Sequence, residues 1–460
     1  MRAVCFVNRL EFEFGGNVFR SSLTLGDVDN TGEMALVAGN ASGDLAVFKG
    51  DKQWQILNGL GMITAVGIGD VLNCGLNAVV VVCGDGWCHI YLCPPGCARL
   101  ECVHVQRIPA NTKVLLLGDI DADGQQELVL GLTDRVVRSY RWCWLGEPIG
   151  KEFVQSLGKT TNVASLAGRG ALVCLNKWEF AHQLGAVTLN HNAKDKPSLL
   201  VAQPGGTFMK IRCYPESDVT ADFMDSDSSG RSNQFGETSV VYHPLCINSM
   251  RNPNVSTEIL GDIETGHNND KGSPFAVATL DGTLMLVHND EILWSYQVDH
   301  QLFAVTKLDI TGDGHDEIVV CSWDGQTYIL DLEKHCVRFQ LEETVSGFCS
   351  GKYTLEPNCS KPPIPVLVYA TFNNKIYIYY DIHLPSMLTE NFNPRLQSFM
   401  QGLNFDEVRK KLSASEGKDK ILAELLTPPL TREKVKQLTE ISLYFRKTIP
   451  HKKALTPSEN

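Results

Sequence analysis

Runs of apolar residues that end in an acidic loop recur along the chain at a near-constant pitch. The first is Leu25-Gly26-Asp27-Val28. It returns as Ile68-Gly69-Asp70-Val71, Leu117-Gly118-Asp119-Ile120, Leu260-Gly261-Asp262-Ile263 and Leu308-Asp309-Ile310. Thr188-Leu189-Asn190 is a degraded copy and Phe348-Cys349-Ser350-Gly351 the weakest. After each comes a β-branched run such as Ala78–Val82, Glu127–Leu130 or Glu317–Cys321, then a two-residue turn and another strand. The turn pairs are Ser42-Gly43, Asp85-Gly86, Asp134-Arg135, Gly205-Gly206, Asp281-Gly282, Asp324-Gly325 and Asn373-Asn374. All but one suit a type I′ or II′ hairpin, which needs positive φ. The exception is Asp134-Arg135, where Arg135 would carry a Cβ into the left-handed region.

Successive turns lie 43, 49, 71, 76, 43 and 49 residues apart. Spacings of 40–50 are those of propeller blades. The two long intervals place insertions at about 145–170 and 215–237, the second acidic around Asp225-Ser226-Asp227-Ser228-Ser229-Gly230. Strands at this pitch cannot bury both faces alone, whereas seven four-stranded sheets packed radially can. The chain is therefore read as all-β: a seven-bladed propeller over residues 1–382, with Val4–Phe14 pairing beside the last blade to close it. Two stacked β-sandwiches would leave the even pitch without a reason. Beyond about Tyr380 the pattern changes. Phe399, Leu403, Val408 and Leu412, then Val435, Leu438 and Ile441, fall near helical spacing. Residues 383–460 are expected to form a short α-helical appendix, with Thr431 as an N-cap.

Composition narrows the function. Lys plus Arg number 41 against 53 Asp plus Glu, a net charge of −12. Nucleic acid and a polybasic membrane surface both demand clustered positive charge, so neither is an expected partner. Met1–Arg20 has no uninterrupted apolar stretch of the secretory kind, and no run approaches the roughly 20 residues that span a bilayer. With fifteen cysteines and no chain-wide framework, the expectation is a cytoplasmic protein with free thiols.

The third acidic loop reads Asp119-x-Asp121-x-Asp123-Gly124-x-x-Glu127. Calcium takes six to eight oxygens, and alternate acids in a tight loop aim at one point while Glu127 closes the site. The sixth loop offers Asp309, Asp313 and Glu317, with Thr311 in place of the second acid. The first keeps Asp27 and Asp29 only. These two sets, Asp119, Asp121, Asp123 and Glu127, then Asp309, Asp313 and Glu317, are the candidate metal ligands. Any calcium would be structural, and no cofactor is required. The alternative is that the Asp side chains bond backbone N–H groups and shape the turn. Cys93 and Cys97, near Cys83, Cys88, Cys102, His89 and His104, faintly suggest zinc, but cysteines flanking a strand turn are also small buried hydrophobes. No catalytic constellation is found and no catalytic residue is assigned. Trp142, Trp144 and Trp178 are candidate interface anchors, or else they pack between blades.

With these loops over residues 20–380, the chain resembles the FG-GAP repeats of integrin-α-type propellers. More narrowly it resembles the integrin-alpha FG-GAP repeat-containing protein 2 family, in stretches such as Val298-Asp299-His300-Gln301-Leu302-Phe303-Ala304 and Trp323-Asp324-Gly325-Gln326-Thr327-Tyr328-Ile329. The Gly-Ala-Pro end of the repeat is replaced by Ala38-Gly39-Asn40 or Ala202-Gln203-Pro204. The resemblance implies a non-catalytic subunit of the KICSTOR assembly, with kaptin and the large scaffolding subunit as partners. That assembly tethers a GTPase-activating complex for Rag GTPases at the lysosomal membrane and restrains TOR kinase signalling on nutrient shortage. The protein would then be peripheral to that membrane through its partners. The alternative is a calcium-binding FG-GAP propeller acting as a ligand- or protein-binding module outside that complex.

Overall fold

The β-branched runs are buried on both faces. Ala78–Cys83, Glu127–Leu132 and Glu317–Ser322 bury every residue, as strands do in a sheet sandwiched between two others. A computed structural model of the chain describes residues 2–94, 97–146, 168–214, 239–243, 254–266, 272–289, 291–357, 359, 361–388, 431, 433, 434 and 436. Among these residues the strands form seven sheets.

Each sheet is an antiparallel meander that runs from an inner strand outward. Blade 1 is Val18–Asp27, Met34–Asn40, Leu45–Lys49 and Lys52–Leu57. Blade 2 is Ile63–Gly69, Ala78–Cys83, Trp87–Leu92 and Glu101–Arg107. Blade 3 is Thr112–Gly118, Glu127–Leu132, Val136–Trp144 and Gly170–Glu179. Blade 4 is Val187–His191, Pro197–Gln203, Thr207–Arg212 and Ser239–His243. Blade 5 is Thr257–Leu260, Phe275–Thr279, Thr283–His288 and Glu291–Gln297. Blade 6 is Leu302–Leu308, Glu317–Ser322, Gln326–Leu330 and Cys336–Gln340. Blade 7 is Val345–Tyr353, Ile364–Thr371 and Lys375–Tyr379, completed by Arg9–Glu13 from the start of the chain.

The core is seven seams. Each apolar cluster joins two neighbouring blades: Phe48 and Val368 lie in the seam of blades 7 and 1, Val81 and Val37 in that of 1 and 2, Phe208 and Phe275 in that of 4 and 5. The seam between the last blade and the first is as buried as the others, so the ring closes. Arg9–Glu13 seals it as the outer strand of blade 7, antiparallel to Lys375–Tyr379, with Leu10 opposite Ile378 and Phe12 opposite Ile376. The start of the chain also makes a contact that the alternation did not announce. Arg2–Ala3 leaves blade 7 and runs parallel to Cys336–Gln340 as a fifth strand on blade 6.

Around the axis the inner strands crowd, and glycine makes room. A Cβ on Gly118 would stand 2.5 Å from Leu189 Cδ1 of the next blade; one on Gly26 would stand 3.0 Å from Ile68, and one on Gly351 3.0 Å from Leu25. The repeating glycine of one blade thus receives the apolar side chain of the following blade. Gly261 is tighter still, since its Cβ would lie 1.8 Å from the Leu189 carbonyl oxygen. Across the axis Arg20 of blade 1 forms an ion pair with Glu258 of blade 5. Lys113 of blade 3 feels both charges, though burial is the larger influence and holds its amine below the ordinary lysine range.

The hairpin turns behave as their sequences ask. Gly43, Gly86, Gly282 and Gly325 have φ between 84° and 93°. Arg135 adopts φ 70° despite its side chain, and its carbonyl receives the Phe180 N–H at 2.9 Å. That hydrogen bond repeats as Ile108 to Gly86, Val298 to Gly282 and Leu341 to Gly325. It ties each turn to the connection that leaves the same blade.

The chain divides into two compact units, Met1–Met387 and Leu388–Asn460. In the second unit Glu433, Lys434 and Lys436 are helical. The Lys434 N–H reaches Thr431 Oγ1 at 3.4 Å, the contact expected of an N-cap. The rest of the expected appendix lies outside the described residues, as do the 215–237 insertion and nearly all of the 145–170 insertion.

The crowding at the axis has a direct consequence. Gly118→Ala meets the end of a flexible leucine, whereas Gly261→Ala meets a carbonyl oxygen fixed in the backbone. Thermal unfolding should show both variants destabilised, with Gly261→Ala the worse and losing roughly 1–3 kcal/mol. A Gly261→Ala protein as stable as the parent would show that blades 4 and 5 are not seated this closely.

Candidate functional site

Each acidic loop joins an inner strand to the second strand of its blade. Its first aspartate is spent on the loop's own backbone. Asp119 Oδ1 accepts the Ala122 N–H at 2.7 Å and Oδ2 that of Gly124 at 2.7 Å. Asp27 accepts from Thr31 and Gly32, Asp70 from Cys74 and Gly75, and Asp309 from Gly312 and Gly314, at 2.6–3.2 Å. Four loops therefore share one internal cap. In blade 5 the equivalent residue turns outward across a seam. Asp262 accepts the His191 N–H at 2.6 Å and faces His191 Nδ1 at 2.8 Å, and its own N–H donates to Asn190 Oδ1 at 2.9 Å. The hydrogen bond to the Asp262 carboxylate raises the His191 pKa.

The closing glutamates are buried. Glu127 Oε2 accepts the Ile120 N–H at 3.0 Å. Glu317 Oε2 accepts that of Ile310 at 2.7 Å, while Glu317 Oε1 accepts the Thr311 hydroxyl at 2.9 Å. Burial pushes both carboxyls above the usual range. Asp313, which is exposed, accepts the His315 N–H through Oδ1 at 2.9 Å.

Asp119, Asp121 and Glu127 come together within 4.8 Å, the one such gathering of three or more among the described residues. Asp123 joins them through an arginine. Arg141 Nε donates to Glu127 at 2.6 Å, Nη2 to Asp121 at 2.9 Å, and Nη1 pairs with Asp123 at 2.7 Å. The guanidinium stands where a dication would gather the same carboxylates. Blade 1 repeats the device, since Lys49 pairs with Asp29 and lies over the Trp54 ring at 4.3 Å. Although burial works to raise Asp29, the Lys49 ammonium and the Thr31 hydroxyl outweigh it and hold its carboxyl below the usual range.

The placement is dictated by register. Leu128 pairs with Tyr140 and Leu36 with Phe48, so Arg141 and Lys49 occupy the same place on the third strand, opposite Glu127 and Ala35. Blade 2 has Leu72 where those loops have a second acid, and Leu92 stands at the corresponding place opposite Ala78. Blade 6 has Thr311 there, and Asp331 at the corresponding position. A basic side chain stands at this place in blades 1 and 3, whose second acid is an aspartate, whereas blade 5, with Glu264 as its second acid, has Val287 there. The sequence held the signal, because Lys49 and Arg141 each follow the loop's closing position by fourteen residues.

As they stand, these residues do not fit calcium. Asp119 is consumed by backbone N–H groups, and Arg141 holds the other three carboxylates. Among the described residues of this loop, the buried acceptors without a hydrogen-bond partner are Asp121 Oδ1 and Gln126 Oε1, two ligands at most for an ion that takes six to eight. In the sixth loop Asp309, Asp313 and Glu317 are all engaged by the loop's own N–H groups and the Thr311 hydroxyl.

The other candidate chemistry also resolves into packing. Cys83, Cys88 and Cys93 are buried, and among the described residues they do not gather with Cys97, Cys102, His89 or His104 into a group of three metal-ligating side chains. Trp142 and Trp178 are buried, and Trp142 meets Trp144 edge-on at 5.4 Å, so these tryptophans pack between strands. Among the described residues the exposed tryptophans are Trp87 and Trp323, each beside a hairpin turn. No helix among the described residues is long and apolar enough to cross a membrane.

A family model described as "Integrin-alpha FG-GAP repeat-containing protein 2" matches residues 49–384. A curated relative from Mus musculus, "KICSTOR complex protein ITFG2", is 40% identical over 88% of this chain and 93% of its own length. A relative of the same name from Bos taurus is 39% identical over 85% of this chain and 73% of its own length. Among solved structures, a crystal structure of BBS1N in complex with ARL6DN matches with a TM-score of 0.53 at 14% identity. It covers 82% of this chain and 97% of that one. At that identity it speaks for the propeller fold alone.

If Arg141 is the cation of its loop, millimolar calcium should leave the melting temperature of the parent chain unchanged. Arg141→Ala strands a buried glutamate and should cost roughly 3–5 kcal/mol, the usual loss on breaking a buried pair. Calcium should then restore part of it. A calcium-induced rise in the parent protein would contradict this reading.

Proposed function

The chain belongs to the integrin-alpha FG-GAP repeat-containing protein 2 family, and from that premise we propose that it is a non-catalytic subunit of a KICSTOR-type assembly. In this reading kaptin and the large scaffolding subunit are its direct partners. Through them the assembly holds a GTPase-activating complex for Rag GTPases at the lysosomal membrane and restrains TOR kinase signalling when nutrients fall. The protein is cytoplasmic and reaches the membrane only through its partners.

The observation that carries the proposal is the pair of relatives that bear the KICSTOR name at about 40% identity over most of the chain. The physical character of the molecule agrees with it. Seven buried seams make a stiff ring, and stiff rings present broad loop surfaces to which partners dock without moving the core. The acidic groups that catalysis or a metal would use are committed to loop backbone, Arg141 and Lys49. The ring therefore needs no cofactor to stay rigid. Full-length tagged protein, purified from cells under gentle lysis, should elute at the mass of an assembly and carry kaptin and the large scaffolding subunit. Elution at the mass of the chain alone would overturn the proposal.

A further inference from the structure

Blades 6 and 7 expose an aromatic step on the face that bears the hairpin turns. Phe303 is buried, 6% exposed, and Trp323 stacks on it with ring centroids 4.1 Å apart and planes 18° apart. Phe372 of the next blade lies 6.5 Å from Trp323. Trp323 and Phe372 are 39% and 51% exposed, high for side chains of this size. The backbone holds the step together. The Val345 N–H donates to the Trp323 carbonyl at 2.9 Å, and the Phe372 N–H to that of Thr344 at 3.2 Å. The connection between blades 6 and 7 is thus stitched to both aromatic residues.

That connection, and the one before it, make the surroundings acidic. Glu342 and Asp299 are exposed. Asp324, beside Trp323, accepts the Ser322 hydroxyl and meets His300 Nδ1 at 2.7 Å. Glu343 accepts the Tyr377 hydroxyl at 2.6 Å and the Asn373 amide at 3.1 Å. Although burial opposes it, these hydrogen bonds hold both carboxyls below the usual range, so both are charged at neutral pH. The nearby cation Lys375 is paired with Glu11 at 2.5 Å. An exposed Trp–Phe surface with Asp324 and Glu343 on the flanking turn and connection, and with Asp299 and Glu342 next to His300 and Glu343 in sequence, suits a ligand that is apolar and cationic at once. An arginine or lysine can lie over Trp323 while its charge meets the edge, and an aliphatic neighbour can cover Phe372.

Resting on the reading of this chain as an assembly subunit, we propose that the Trp323–Phe372 step docks a segment of a partner subunit that places a basic side chain beside an aliphatic one. Trp323 is the anchor, since buried aromatic and arginine contacts dominate interface energies. Asp299, Asp324, Glu342 and Glu343 select the charge and speed the encounter.

The test uses the full-length tagged chain in cells and quantifies each co-purified subunit. One variant is Trp323→Ser with Phe372→Ser; a second is Asp299→Lys with Glu342→Lys. The control is Leu293→Ser, on the exposed outer strand of blade 5. The aromatic pair should lower recovery of one subunit about tenfold, and the charge pair should lower the same subunit about threefold or more. The control should lower none. If the aromatic pair also depresses the melting temperature, the charge pair decides. Unchanged recovery in both variants overturns the docking proposal and leaves the assembly reading standing. Loss with the aromatic pair alone overturns the assignment of a basic partner. A parent chain that purifies alone overturns the assembly reading, and the docking proposal with it.

Discussion

Inner strands crowd around one axis, and in the copies that carry a glycine what is left out is the side chain in the middle of the repeat, where blades 4 and 6 keep Leu189 and Leu308. Gly118 gives up its Cβ so that Leu189 can enter, Gly26 does the same for Ile68, and Gly351 for Leu25. This steric condition explains why an apolar residue and a glycine precede the aspartate in the intact copies. The apolar residue fills the seam behind it, and the glycine accepts the one in front. Everything outside the axis follows from that seating. Blades brought this close bury both faces of their middle strands, which is why Ala78–Cys83 and Glu317–Ser322 carry continuous apolar runs in place of alternation.

Charge obeys a second condition. A loop that draws several carboxylates together in a partly buried place requires a positive charge nearby. In blades 1 and 3 that charge is carried by the chain itself, on Lys49 and Arg141, from the third strand of the same sheet. Where the loop lacks a second acid, as with Leu72, the matching position is the apolar Leu92. In those two blades the carboxylates are thus matched by a cation of the same sheet.

Much of this was legible in the sequence. The turn pairs and their pitch gave seven blades, the alternation of Val4–Phe14 gave the closing strand, and Thr431 gave its cap. Arg135 was legible as a misfit: it enters the left-handed region because the fold demands a turn there. What stayed hidden was of two kinds. Some contacts join residues with no local signature. Arg2–Ala3 crosses to blade 6 with two residues and no periodicity, and Asp262 reaches Asn190 and His191 more than seventy residues away. Others had a signature that is read only when blades are laid over one another, as with the shared offset of Lys49 and Arg141. The loop Asp119–Glu127 alone reads as a cation site, and an arginine on another strand pairs with three of its carboxylates. The tryptophans mislead for a related reason. Trp142 and Trp178 sit buried on strands, whereas Trp323 stands at a turn and faces water.

A ring closed by its own first residues underlies all of this. Hydrogen exchange of the full-length chain, followed by mass spectrometry of its peptides, tests that closure directly. Arg9–Glu13 and Lys375–Tyr379 are paired strands of one blade, so the amides that join them should be protected together, well beyond those of an unpaired segment. Rapid exchange of Arg9–Glu13 beside a protected Ile364–Thr371 would mean an open ring, and would contradict the closed architecture.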